Sequence, residues 1–153
     1  MKAKLPIFLF LVAVMAMAAD ISFEIPFTFD NAQVAKLLIG CHPDATDGYD
    51  RGRDIYVPPF GMGTGVIGIK LTDDNPNMLY KDIRSMKLPQ TWRIDCKPAQ
   101  KPITMRWTKG AFPAGLQVKA SIGKGTVIDM NVLSQLKIAR PDVITITVSP
   151  VAK

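Results

Sequence analysis

Apolar and polar residues alternate along most of the chain. Ile21, Phe23, Ile25, Phe27 and Phe29 take every second position, with Ser22, Glu24, Pro26, Thr28 and Asp30 between them. Successive strand side chains point to opposite faces, so this pattern predicts a strand with one buried face. Pro26 has no N–H to give to a ladder and predicts an edge position. Asp30-Asn31 is a turn signal, and residues 33–40 return as a second strand. The same alternation runs through 91–97 (Trp92, Ile94, Cys96), 102–108 (Ile103, Met105, Trp107), 115–122 (Leu116, Val118, Ala120, Ile122) and 143–149 (Ile144, Ile146, Val148). Shorter strands are predicted at 65–71, near 80–84 and at 126–131, while 131–138 fits one helical turn or a strand equally well. About eight or nine short strands, with turn signals roughly every ten residues, predict an all-β domain. The expected form is an antiparallel immunoglobulin-like or jelly-roll β-sandwich.

The alternation starts only after a different kind of segment. Lys2 and Lys4 precede an apolar run from Leu5, and Ala16-Met17-Ala18 has the small-x-small form of a cleavage site. That order predicts a secretory signal peptide over residues 1–18, leaving a single domain over 19–153. The apolar run is too short for a comfortable membrane span, and no later stretch is long and apolar enough for one. Export through the general secretory route, to the cell surface or beyond, is the expected location.

Charge narrows the partners. The chain has 19 Lys+Arg against 13 Asp+Glu, an excess of six that falls to four without Lys2 and Lys4. The basic residues are scattered singly among apolar ones, without the basic stripe and interleaved aromatics that mark a nucleic-acid surface. Cys41 and Cys96 are the two cysteines. In an oxidising compartment an even count favours pairing, so a Cys41–Cys96 disulfide is expected, with two separately buried thiols as the alternative.

Three pieces of sequence, taken in order, belong together. The first is Gly40-Cys41-His42-Pro43-Asp44-Ala45-Thr46-Asp47-Gly48-Tyr49-Asp50 with Asp54 and Pro58-Pro59. The second is the Trp92 strand followed by Thr104-Met105-Arg106-Trp107. The third is Gly125-Thr126-Val127-Ile128-Asp129-Met130 with Ser134 and the final Thr/Ile strand. Together they resemble a β-sandwich domain of secreted and cell-surface proteins from Bacteroidota-like bacteria, which often carry type IX secretion sorting domains. The resemblance implies a β-sandwich fold and an extracellular location, and no defined activity.

The one irregular stretch, 41–64, carries the candidate chemistry. Asp44, Asp47, Asp50 and Asp54 fall within eleven residues, broken by Gly48 and Gly52. Carboxylates on a loop suit calcium, although the spacing is not that of an EF-hand. Aspartates also build turns by accepting from their own backbone, and both readings stay open. Tyr49, Tyr56 and Phe60 flank Pro58-Pro59 and are the best ligand-facing surface for a glycan or small molecule. Trp92 and Trp107 share strand faces with apolar neighbours and read as core. His42 beside Cys41 suggests a dyad, but adjacent strand residues face opposite ways. Neither a Gly-x-Ser-x-Gly elbow nor a phosphate-cradling loop occurs, since Gly61-Met62-Gly63-Thr64-Gly65 lacks the following lysine. The expected function is therefore a non-catalytic structural or adhesive protein of the surface or matrix, partnered by other surface proteins or by itself. The alternative is a glycan- or small-ligand-binding module using residues 44–60.

Overall fold

The computed structural model describes residues 22–58 and 65–152. The expected signal segment and Phe60 lie outside the described residues. Eleven strands and no helix make up the described chain: β1 Phe23–Asp30, β2 Lys36–Cys41, β3 Ile55–Tyr56, β4 Val66–Lys70, β5 Met78–Arg84, β6 Gln90–Lys97, β7 Ile103–Arg106, β8 Leu116–Ile122, β9 Ile128–Asp129, β10 Gln135–Ile138 and β11 Asp142–Pro150. All belong to one sheet in the order β10-β7-β1-β2-β5-β4-β6-β11-β8-β9, with β3 paired to β5 off that path. The all-β class is as expected. The expected purely antiparallel arrangement is not, because β2 and β5 run parallel. The count also exceeds eight or nine. β10 resolves the open reading of 131–138 as a strand, and the two residues of β3 are too few to show any alternation.

The alternating faces form the core. Phe23, Ile25, Phe27 and Phe29 of β1 are buried and the residues between them exposed. Trp92, Ile94 and Cys96 of β6 and Ile144, Ile146 and Val148 of β11 join them, as does Trp107. Each large side chain buried in this way contributes about 1.5–3 kcal/mol.

Pairing at β5 shows how one sheet encloses that core. Lys81 pairs with Leu38 of β2 and Ile55 of β3, and Leu79 pairs with Tyr56 of β3 and Ile69 of β4. Two partners at one residue sit on its opposite edges. β2 and β4 therefore share one edge of β5, end to end, and β3 takes the other. One strand thus belongs to both halves of a sheet that curls over. The far ends meet again: β9 and β10 are joined by five residues, which span roughly 20 Å at most. There Trp107 Nε1 donates to Met130 O at 2.7 Å, and Trp107 N to Ser134 O at 3.1 Å.

Pro26 is not on an edge strand, since β1 lies between β2 and β7. β7 covers only Thr28–Asp30, however, leaving the other stretch of that edge unpaired among the described residues. Phe29 N–H points toward β2, donating to Ala35 O, so by alternation Pro26 N faces the uncovered side. The missing N–H falls where no ladder needs it.

The expected Cys41–Cys96 disulfide is absent: both thiols are free and buried, on β2 and β6. They fit the alternative, packing as small hydrophobes among Ile39, Ile94 and their neighbours. Burial pushes both thiols up to about 12. A maleimide or iodoacetamide should therefore label neither cysteine in the native protein at pH 8 and both after unfolding in urea, read by mass. Protection that persists in urea until a reductant is added would show a bridge instead.

Candidate functional site

The loop between β2 and β3 packs against one edge of β5, and its aspartates do that work. Asp54, buried at 3% exposure, accepts from Ile83 N through Oδ1 at 2.8 Å and from Asp50 N through Oδ2 at 2.6 Å. Asp50 O in return accepts from Arg53 N and Asp54 N, closing a tight turn in which Gly52 takes a positive φ of 90°. A side chain at Gly52 would meet the steric penalty of left-handed backbone. The Asp50 carboxylate holds the preceding turn, accepting from Thr46 N at 2.5 Å and Thr46 Oγ1 at 3.0 Å. Asp47 Oδ1 reaches across to accept from Ser85 Oγ at 2.6 Å, Gln90 Nε2 at 2.8 Å and Ser85 N at 3.2 Å. Asp44 is the outlying member. It lies near Arg53 at 3.6 Å and His42 at 3.8 Å on the surface.

Three of the four aspartates proposed as cation ligands thus hold N–H and O–H donors. This is the turn chemistry that the sequence offers beside calcium. Among the described residues, no group of three or more His, Cys, Asp or Glu side chains is placed to hold a metal ion.

The loop so pinned carries two of the three expected ligand-facing aromatics. Tyr49 and Tyr56 stack with ring centroids 4.6 Å apart and planes 18° from parallel. They stay 40% and 39% exposed, and Ile55, next to Tyr56 on β3, is equally open. Seven residues apart in sequence, the rings meet because the Asp50–Asp54 turn folds the chain back on itself. His42 and Cys41 do not form a dyad. Cys41 faces the core, with a thiol held neutral by burial, and His42 Nδ1 accepts from Asp44 N at 3.1 Å.

Sequence reasoning missed the polar cluster beneath this loop. Ile39 and Cys41 pair with Asp82 and Arg84, so the two charged residues lie on the core face of β5. Asp82 is fully buried. Its Oδ2 accepts from Arg84 Nε at 3.0 Å and Nη2 at 2.9 Å, and Arg84 Nη1 donates to Thr91 O at 2.6 Å. The Arg84 guanidinium also lies over Trp92, 5.3 Å from the ring centroid. Burial raises the Asp82 carboxyl above its ordinary value, and Arg84 opposes that shift. Asp47 moves the other way, lowered chiefly by the Ser85 hydroxyl and further by Gln90, Ser85 N–H and the nearby Arg84. The available cue was Asp82-x-Arg84. On a strand this short, with no clean alternation, it does not stand out.

The chain matches no protein family, no curated protein and no solved structure.

Replacing Asp54 with Ala should cost about 1–3 kcal/mol for each buried donor it strands, Ile83 N and Asp50 N. Urea unfolding measures the loss, and proteolysis within residues 44–58 should accelerate at the same time. The two shifted carboxyls give opposite acid responses. Asp47, depressed when folded, contributes stability above its unfolded value near 3.8 and loses it as pH falls through the lower folded value. Asp82, raised when folded, favours the fold most below 3.8 and less as pH rises through its folded value. Asp47→Ala should therefore lose stability at neutral pH, and less of what remains should be lost on acidification. Melting temperatures across pH 2 to 7 read this out.

Proposed function

We propose that this is an exported, non-catalytic protein of the cell surface or matrix that acts by adhesion, with the loop around Tyr49 and Tyr56 as its contact surface. The stacked, half-exposed tyrosine pair carries this reading. The stacked rings cover each other's facing sides and leave outer faces and edges open on a turn held by Asp50 and Asp54, an apolar surface suited to a sugar ring or a partner's apolar side chain. The buried, neutral Cys41 and the engaged His42 favour binding over nucleophilic chemistry. The curled sheet is best read as a β-sandwich whose two layers share β5. The resemblance to surface domains of Bacteroidota-like bacteria supports the same placement.

A second reading, self-assembly, is favoured by a separate observation. Val127, Val132 and Leu133 are exposed around β9 and the β9–β10 connection, where the two ends of the sheet meet. Apolar groups gathered beside open strand edges suit association with another copy.

A glycan array separates the readings. Signals that fall at least tenfold in Tyr49→Ala and Tyr56→Ala, with calcium or with a chelator, would establish the loop as the contact surface, and dependence on calcium would assign it a metal. An empty array together with concentration-dependent oligomers in light scattering would shift the function to assembly. An empty array and a strict monomer would sink the sugar and assembly readings and leave a partner protein as the occupant of the loop, and turnover of a hydrolase substrate would overturn the non-catalytic reading.

A further inference from the structure

Two polar atoms in the interior have no hydrogen-bond partner among the described residues: Asp82 Oδ1 and Trp92 Nε1. Both residues are fully buried, on β5 and β6. Buried polar atoms without partners cost about 1–3 kcal/mol each, so a stable fold satisfies them. They share one neighbour. Arg84 donates twice to Asp82 Oδ2, and the same guanidinium lies over the Trp92 ring.

The chemistry of the two atoms selects their ligand. A carboxylate oxygen accepts, and an indole nitrogen only donates. A cation would satisfy Asp82 but meet the N–H of Trp92 and the charge of Arg84. An anion would satisfy Trp92 but face the Asp82 carboxylate. A ligand that donates on one side and accepts on the other answers both, and Asp82 and Arg84 already balance each other's charge. We infer that one buried water molecule is a fixed part of this interior, donating to Asp82 Oδ1 and accepting from Trp92 Nε1. Such a water commonly makes two to four hydrogen bonds and is costly to remove.

The water lies one residue contact from the loop that carries the tyrosines. Arg84 connects it to Thr91 O, and the neighbouring Ser85 and Gln90 both donate to Asp47. The polar interior and the loop are therefore two hydrogen-bonded sets joined through chain neighbours, Arg84–Ser85 and Gln90–Thr91.

The two tryptophans provide the test, because Trp107 Nε1 is already bonded to Met130 O and serves as an internal control. In 15N-labelled protein, the Trp92 indole proton should show a cross-peak to water with the sign of a long-lived contact, and the Trp107 indole proton should show none. The Trp92 cross-peak should survive in Ser85→Ala and Thr91→Val, which removes hydroxyl exchange as its source. A crystal structure should show one solvent peak about 2.7–3.2 Å from both Asp82 Oδ1 and Trp92 Nε1. Three results would each overturn the inference: no cross-peak at Trp92, a direct Trp92–Asp82 hydrogen bond, or a metal ion at the position. Asp82→Asn keeps an acceptor and should keep the cross-peak, and Asp82→Leu should abolish it. If the leucine variant does not fold, the unmutated protein alone still decides the matter.

Discussion

Asp54 accepts from Ile83 of β5 with one carboxylate oxygen and from Asp50 of the loop with the other. Those two bonds are what turn an irregular stretch into part of the sheet. β3 is only two residues long and leaves β5 before its end, so Ile83 N–H would otherwise be stranded on an uncovered edge. A side chain completes the ladder that the backbone leaves unfinished. The same carboxylate sets the turn at 50–54, and that turn brings Tyr49 and Tyr56 face to face. The aromatic surface therefore exists because a buried carboxylate has two backbone donors to satisfy.

The electrostatics of the loop reverse what its composition suggests. Four aspartates in eleven residues read as an acidic surface open to cations. In the fold, Asp47, Asp50 and Asp54 aim oxygens at N–H and O–H donors, and Asp44 is left at the surface beside Arg53 and His42. Asp82 shows the converse. It counts as a surface residue by type yet lies in the core, retained there by a bidentate bond from Arg84. A buried pair of this sort gives little net stability against an apolar alternative, but losing one partner leaves the other charge uncompensated.

Period-two alternation made most of the architecture legible. It placed β1, β6, β7, β8 and β11 and assigned both tryptophans to the core, because in those strands a single face is buried and chemistry follows geometry. It failed where that condition fails. β5 turns Leu79 and Asp82 to the core and buries Ile83 on the opposite face, with a register shift between residues 79 and 81, so no simple pattern survives. β3 owes its existence to neighbouring backbone rather than to its own residues. The parallel pairing of β2 with β5 depends on a chain crossover that local sequence does not encode. At the site, the sequence named residues but not their relations. Tyr49 and Tyr56 were candidates, but nothing local said that they stack, and the disulfide inferred from two cysteines gave way to two thiols packed separately.

The curling of one sheet over its core also sets a timescale. Asp30 on β1 and Arg106 beside it on β7 are 76 residues apart along the chain, and Thr91 and Thr147, in contact across β6 and β11, are 56 apart. Contacts of that span carry a large loop-closure cost before they return any packing, which places such a fold among the slow ones, in milliseconds to seconds. Until β5 joins the two halves, the chain holds unfinished edges rich in Phe, Ile and Val. Pro26, with its missing N–H on the uncovered side of β1, is then most useful before folding ends, when it denies one of those edges to a neighbouring chain.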